Sequence, residues 1–288
     1  MGGGGAILKS ERGSLLNLAK SCNSVLVCFR LLCFLFACFL MFPISATAAE
    51  RWGDLKGRFV YDGAAPKPRE LELNKDIEYC APKKPTSLKL LVNKENNGLK
   101  NVVLYLYLSK SDPVPPIHPD YEQTADSNVL LDNIDCQFQP HVTLLRTSQT
   151  LKITNSDDVA HNTAAFLARN NPFNAVTPIG ESVYKNLESG ERLPVQVSCS
   201  IHPWMQGWLL VQEHPYMAVT DADGNFEIKN LPAGEWTFQV WHEAAGYLTD
   251  VTQNDEATSW PRGRITVTIA NEPVNLGTVK VAADKFTP

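Results

Sequence analysis

The segment 199–205, with the sequence Cys-Ser-Ile-His-Pro-Trp-Met, constrains this chain more than any other part of it. Cys199, His202 and Met205 place a thiol, an imidazole and a thioether at positions i, i+3 and i+6, and a second imidazole, that of His161, lies upstream. One cysteine, two histidines and a methionine are the ligands of a type 1 copper site, in which the axial sulfur is weakly bound. The sequence therefore predicts a fold that brings His161 to this segment, around one copper ion.

Residues 1–48 have the organisation of a secretory signal peptide. A basic region precedes the apolar run Leu31–Ile44, and the small residues at 46–48 offer a cleavage point. This run is shorter than the roughly 20 residues that a membrane-spanning helix needs, although an uncleaved anchor and a lipoprotein site at Cys38 are the alternatives. We therefore predict export to the periplasm or the cell exterior, with no membrane span in the mature chain.

The charges and the cysteines narrow the class of protein. The sequence has 26 Lys+Arg against 31 Asp+Glu and no basic cluster, whereas nucleic-acid binding needs a basic surface, so no nucleic-acid partner is expected. Without the predicted signal peptide, Cys80, Cys136 and Cys199 remain, and an odd number of cysteines calls for an explanation in an oxidising compartment. With Cys199 on the metal, Cys80 can pair with Cys136 in a disulfide. Three unrelated cysteines are the alternative.

The remainder of the chain is predicted to be all-β. Short alternating or β-branched runs recur between Gly, Pro, Asn and Asp residues, and no long apolar stripe has the period of an α-helix. These runs are 55–61, 88–92, 102–108, 142–145, 151–154, 193–198, 208–211, 226–228, 237–241, 264–269 and 278–281. Residues 109–126 have little to bury and are predicted to form a surface linker.

Residues 127–213 resemble the cupredoxin family, and most closely its amicyanin-type members. The resemblance rests on Pro140–Val142, on Ile153–Asp157, on His-Asn at 161–162, and on the short Cys-x2-His-Pro-aromatic-Met loop. It implies a Greek-key β-sandwich or barrel over residues 110–213, with its core in residues 127–213. It also implies one type 1 copper ion on the four ligands named above.

Residues 216–248 resemble the second half of a carboxypeptidase regulatory-like, or prealbumin-like, β-sandwich. Gly53–Val60 and Gly98–Leu106 fit the opening strands of the same family. The favoured interpretation is one such domain formed by residues 50–109 and 214–284, with the cupredoxin inserted at an exposed turn. The alternative is an N-terminal extension of the cupredoxin followed by a separate C-terminal sandwich.

The residues beside the ligands have expected roles as well. The cupredoxin resemblance implies that Asn162 and Ser200 hydrogen-bond across the site, and Pro203, which has no N–H, removes one potential donor to the ligand sulfur. The imidazole edge of His202 is expected to face solvent as the entry point of electrons. Beside it, Trp204 would form an apolar docking patch for a redox partner, unless it packs into the end of the barrel instead.

The predicted function is that of an exported type 1 copper protein that carries single electrons between a redox donor and a redox acceptor. It is not expected to be an enzyme, because the sequence has no Gly-x-Ser-x-Gly motif and no His-x-His or His-Cys-His cluster. The alternative is a copper-binding carrier or an extracellular adhesion module with no electron-transfer role. A second metal site formed by His141, His214 and His242 is a weaker hypothesis.

Overall fold

The structure, a computed structural model, describes Met1 and residues 51–286. Apart from Met1, the predicted signal peptide, residues 1–48, lies outside the described residues, and its assignment stays a prediction. Among the described residues, no helix has both the length and the apolar character needed to cross a membrane.

The described chain is built mainly from short β-strands, so the all-β prediction is confirmed. In chain order they are β1 Trp52–Asp62, β2 Val103–Leu106, β3 Asn128–Ile134, β4 Gln137–Gln139, β5 Val142–Arg146, β6 Thr150–Asn155, β7 His161–Ala165, β8 Phe173–Thr177, β9 Ser182–Asn186, β10 Val195–Ser198, β11 Gln206–Gln212, β12 Met217–Val219, β13 Asn225–Pro232, β14 Gly234–His242, β15 Gly246–Tyr247, β16 Asp250–Gln253, β17 Glu256–Ser259, β18 Arg264–Ile269 and β19 Val274–Ala282. Helical structure in residues 51–286 is limited to one α-helical turn, α1 Ile77–Cys80, and to the short 3-10 segments Ala81–Lys83, Pro119–Thr124, Pro261–Gly263 and Ala283–Lys285.

The first β-sandwich combines strands from both ends of the described chain. One sheet has the order β13-β1-β19-β16-β17, and the other has the order β12-β2-β14-β15 with β18 on β14. Apolar side chains of both sheets meet in one core, which includes Phe59 and Val279 from the first sheet and Leu104 and Phe238 from the second. Two segments that are far apart in sequence thus share one core. The prealbumin-like resemblance of this unit stays a prediction.

The second β-sandwich is formed by the strands between these two segments, β3 to β11. One sheet has the order β4-β3-β6-β9, and the other has the order β5-β11-β10-β7-β8. Its core includes Leu131 of the first sheet and Val197 of the second, and Cys199 and Met205 belong to the same cluster. Two of the predicted ligands therefore lie at the end of an apolar core.

Two strands, β2 and β11, are apolar on both faces and join the sandwiches. In β2, the side chains of Leu104 and Leu106 enter the first core. Those of Val103 and Tyr105 enter a further apolar cluster that they share with Leu210 of β11. Because successive side chains of a strand point to opposite faces, β2 is both a wall of its own sandwich and part of the interface with the other.

The long connection between β1 and β2, residues 63–102, contacts both sandwiches. An isolated β-bridge pairs Gly98 with Val60 of the first sandwich. A disulfide joins Cys80, at the end of α1, to Cys136 of the second sandwich. The connection is therefore attached to both sandwiches.

The strand predicted over residues 88–92 is wrong. In this part of the connection only Val92 forms a bridge, with Leu99. The chain reverses direction between these two residues through a turn in which the N–H of Asn97 donates to Asn93 O at 2.8 Å. The pairing of this run is therefore limited to one bridge.

Two buried histidines of the first sandwich make its stability depend on pH. Burial lowers the pKa of His214 to about 4 and the pKa of His242 to about 4. In an unfolded chain a histidine has a pKa of about 6.5, so the unfolded state takes up protons in a pH range where the folded state remains neutral. We therefore expect the free energy of unfolding to fall as the pH is lowered from about 6.5 to about 4, by about 2 to 3 kcal/mol per histidine.

Urea unfolding at about pH 7 and at about pH 4.5 measures this dependence in the unmutated protein and in His242→Gln. The amide of the variant does not titrate, so the stability lost between the two pH values should be smaller in the variant. Comparing each protein with itself at the higher pH removes the other effects of the substitution. An equal loss in both proteins would contradict the role given to His242.

Candidate metal centre

Strand pairing closes the predicted ligand loop. β10 and β11 are antiparallel neighbours, and the two residues that flank residues 199–205 lie opposite each other. Within the loop, the N–H of Cys199 donates to Met205 O at 3.2 Å, and the N–H of Met205 donates to His202 O at 2.8 Å. The loop therefore folds back on itself at one end of the second sandwich.

His161, the first residue of β7, reaches this loop across the sheet. β7 is the other neighbour of β10, with Ala164 opposite Ser198, so the start of β7 lies beside Cys199. The Nδ1 atoms of His161 and His202 are 2.9 Å apart, and the Cys199 Sγ lies 3.9 Å from His202 Nδ1. One donor atom from each of the three side chains lies within 4.8 Å of the other two, and all three residues are at most 2% exposed.

The outer nitrogen of each imidazole contacts a carboxylate. His161 Nε2 lies 2.9 Å from Asp157 Oδ2, and His202 Nε2 lies 2.8 Å from Asp76 Oδ2. A neutral imidazole that donates its Nε2 hydrogen to a carboxylate keeps a lone pair on Nδ1. Both Nδ1 lone pairs then point toward the same space as the Cys199 sulfur. Two imidazole nitrogens and a thiolate around one buried space fit a copper ion.

The pKa values of the site favour the metal-binding form of the cysteine. Burial would raise the pKa of the Cys199 thiol, but the hydrogen bond with His161 and those from backbone N–H groups outweigh it, so this pKa is lowered. Burial would lower the pKa of His161, but its carboxylate partner and the thiolate outweigh it, so this pKa is raised. For His202, burial prevails and lowers the pKa. The thiolate, which is the form that binds metals, is therefore stabilised by the protein itself.

Asn162 links the start of β7 to the ligand loop. Its Oδ1 accepts hydrogen bonds from the N–H groups of Ser200 at 2.8 Å and Ile201 at 3.2 Å, and its Nδ2 donates to Ser200 Oγ at 3.4 Å. The Cys199 sulfur accepts backbone hydrogen bonds from Asn162 at 3.5 Å and from His202 at 3.3 Å. The Cys199 sulfur and both segments that carry the predicted ligands are therefore held by one hydrogen-bond network.

The expectation that His202 has a solvent-facing edge is wrong. Its side chain is 0% exposed, and Asp76, from the connection between β1 and β2, lies over its outer nitrogen. The side chain of Asp76 is 33% exposed. The carboxylate, and not the imidazole, therefore forms the protein surface at this point.

Trp204 is half-buried and packs against the core of the second sandwich. Its ring centroid is 5.0 Å from that of His202, and its Nε1 donates to Cys136 O at 3.1 Å. Together with Pro203 and Met205, it lines a cavity of about 430 Å³ beside the ligand loop. Trp204 thus packs against the barrel core and also borders a cavity.

The two carboxylates that contact the imidazoles, those of Asp157 and Asp76, were not predicted from the sequence. Asp157 lies within the quoted segment Ile153–Asp157, and its spacing of four residues from His161 was a usable signal of contact. No spacing in the sequence indicates the contact of Asp76, because 126 positions separate it from His202. Only the tertiary structure brings Asp76 to the site.

The three histidines considered for a second metal site do not share a site. His141 contacts the carboxylate of Glu243, whereas His214 and His242 each contact a backbone carbonyl. Among residues 51–286, the only group of three potential metal ligands is the one described above.

No protein-family model matches the chain, and no curated protein matches it either. Among solved structures, a purple cupredoxin from Nitrosopumilus maritimus is similar at 22% identity, over 30% of this chain and 100% of that one, with a TM-score of 0.25. A single-residue variant of amicyanin is similar at 12% identity, over 30% of this chain and 82% of that one, with a TM-score of 0.27. A copper-containing nitrite reductase from Thermus scotoductus SA-01 is similar at 19% identity, over 38% of this chain and 25% of that one, with a TM-score of 0.27. These TM-scores carry no functional argument, so function must be inferred from the side chains of this chain.

Asn162→Ala should destabilise the ligand loop. It leaves the N–H groups of Ser200 and Ile201 without their acceptor, and each donor left without a partner costs about 1 kcal/mol or more. Chemical unfolding of the metal-free protein measures the loss. Asn174→Ala, which removes only the exposed acceptor of Asn162 Nδ2, is the matched control and should cost less. Equal stability of the two variants would contradict the linking role of Asn162.

Proposed function

We propose that this protein is an exported type 1 copper protein that carries single electrons between redox partners and catalyses no reaction of its own. His161, Cys199, His202 and Met205 would hold the ion, and the thioether of Met205 would be its weakest donor. The main observation in support is that two imidazole nitrogens and one sulfur converge in a buried space, while each outer imidazole nitrogen contacts a carboxylate. Export is proposed from residues 1–48 alone.

The side chains of the site suit a metal that changes its charge by one unit. Bound copper would supply that one-electron chemistry. The sulfur is held by hydrogen bonds from the backbone of both ligand segments, and the two imidazoles are held by carboxylates. The same arrangement of donors can therefore serve both oxidation states with little movement. The burial of the ligands keeps bulk water away from the donor atoms.

The redox partner is proposed to approach at Trp204 instead of His202. Asp76 covers the outer nitrogen of His202, whereas the indole of Trp204 lies beside the His202 ring and borders the 430 Å³ cavity. The same cavity has charged side chains of both signs, namely Arg69, Glu70, Glu72, Lys89 and Glu243. A partner would thus meet an aromatic ring within a polar rim, which is the usual anatomy of a protein interface.

The covered site also favours the second candidate, a copper-binding carrier. A ligand histidine whose outer edge is closed by Asp76 suits retention of the ion as well as electron transfer. The two functions differ in what they require, because a carrier needs affinity but no rapid exchange of electrons. An extracellular adhesion module, the other alternative, needs neither.

The copper-loaded mature chain should be blue. A thiolate in a plane with two imidazoles gives an intense thiolate-to-Cu(II) band in the visible spectrum. Cys199→Ser should lose this band and most of the copper affinity, whereas Ser200→Ala, in the same loop, should keep both. Visible absorption and electron paramagnetic resonance (EPR) of the Cu(II) form measure the outcome. A colourless Cu(II) complex of the unmutated protein would refute electron transfer at a type 1 site and favour the carrier.

Trp204→Leu should slow electron exchange and leave the visible spectrum nearly unchanged, because the indole lies beside a ligand and is not itself a ligand. Stopped-flow oxidation of the reduced protein by hexacyanoferrate(III) measures the rate. Trp236→Leu is the matched control, since Trp236 is also half-buried and its Nε1 also donates to a backbone carbonyl, but it lies in the first sandwich. If both variants exchange electrons at the same rate, entry at Trp204 is wrong.

A further inference from the structure

Residues 76–80, hereafter the Asp76 turn, comprise α1 and its N-cap residue. An aspartate at this position ordinarily accepts a hydrogen bond from a backbone N–H of its own helix. Asp76 makes no such bond, and its Oδ2 instead lies 2.8 Å from His202 Nε2. Its backbone is left-handed, with φ 43° and ψ 43°, and its carbonyl accepts the N–H groups of Tyr79 and Cys80. The side chain of Asp76 therefore contacts His202 and does not cap the helix.

The Asp76 turn is also connected to the other imidazole. The hydroxyl of Tyr79, on the same turn, donates to Asp157 Oδ1 at 3.1 Å. The second oxygen of that carboxylate lies 2.9 Å from His161 Nε2. The outer nitrogens of both histidines are thus connected to one turn, each through a single carboxylate.

The disulfide between Cys80 and Cys136 attaches the Asp76 turn to the second sandwich. On the far side of this bond, the N–H groups of Cys136 and Asp135 each donate to the Asp157 carboxylate at 2.8 Å. Lys83, just after the turn, forms a salt bridge of 3.3 Å with Asp135. The disulfide therefore joins the turn that carries Asp76 to the segment whose N–H groups hold Asp157.

We propose that Asp76 is a positioning residue of the metal centre, and that the Asp76 turn is a fixed cover that orients both imidazoles through their outer nitrogens. A carboxylate that accepts the Nε2 hydrogen fixes the ring and directs Nδ1 to the metal, and loss of such a partner typically costs about 10- to 100-fold in metal affinity. This inference rests on the proposed copper site. It adds a contributing residue from outside the cupredoxin-like segment.

Three variants separate positioning of the metal from support of the turn. Glycine and asparagine adopt the left-handed backbone of Asp76 most readily. Asp76→Gly therefore removes the carboxylate without straining the turn, and Asp76→Asn keeps an oxygen that can accept the His202 hydrogen. Lys84 is exposed, follows the same turn and is left-handed as well, with φ 51°, so Lys84→Gly is the matched control.

Copper affinity, measured on the full mature chain by competition with a chelator, is the main readout. Asp76→Gly should bind copper about 10- to 100-fold more weakly than the unmutated protein. Its Cu(II) form should also have a changed EPR spectrum, because the His202 ring is no longer held. Asp76→Asn should recover part of the affinity, and Lys84→Gly should match the unmutated protein.

Unchanged affinity and an unchanged EPR spectrum in Asp76→Gly would overturn the proposal. So would an equal loss in Lys84→Gly, because that result would report only the flexibility of the turn. A loss that Asp76→Asn does not recover at all would also overturn it, because a hydrogen bond accepted from His202 would then not be what orients the ring. The same competition with Co(II) separates this proposal from the copper function. Co(II) binding that weakens in Asp76→Gly alone supports the role of Asp76 even where the Cu(II) complex is colourless. Failure of the unmutated protein to bind either ion overturns both proposals.

Discussion

Two imidazoles and a thiol are buried together at one end of the second sandwich, and their polar atoms need partners where water does not reach. The carboxylates of Asp157 and Asp76 contact the outer nitrogens of the two rings. Backbone N–H groups donate hydrogen bonds to the sulfur. Much of the surrounding architecture supplies these partners. The connection between β1 and β2, which belongs to the other sandwich, extends over the site and brings one of the two carboxylates.

The position of the ligand loop depends on a strand that is packed on both faces. In β11, which follows the loop, Leu209 and Val211 belong to the core of the second sandwich. Leu210 and Trp208 lie against the first sandwich, where the ring centroids of Trp208 and Trp241 are 4.7 Å apart. Close packing on both sides leaves such a strand little freedom to shift. The three proposed ligands of the loop are thus anchored to the interface between the sandwiches as well as to one core.

The structure separates the part of the site that is closed from the part that is approachable. Asp76 closes the outer edge of His202, while Trp204 connects the same ring to a cavity lined by charged side chains. Orientation of the ligands and exchange with a partner would then depend on different residues. In the proposed electron carrier, a change at one of them need not disturb the other.

The sequence alone determined the all-β class and the candidate ligands, because both depend on local spacing. Apolar residues alternate along strands, and His202 and Met205 lie at fixed offsets from Cys199. Counting cysteines was enough to suggest Cys80 and Cys136 as partners. Local spacing misled over residues 88–92, where only Val92 pairs, in a single bridge with Leu99. Only the tertiary structure decided that His202 is covered and that Asp76 covers it. The exposure of a side chain depends on which distant segment packs over it, and a contact across 126 positions leaves no pattern in the residues around either partner.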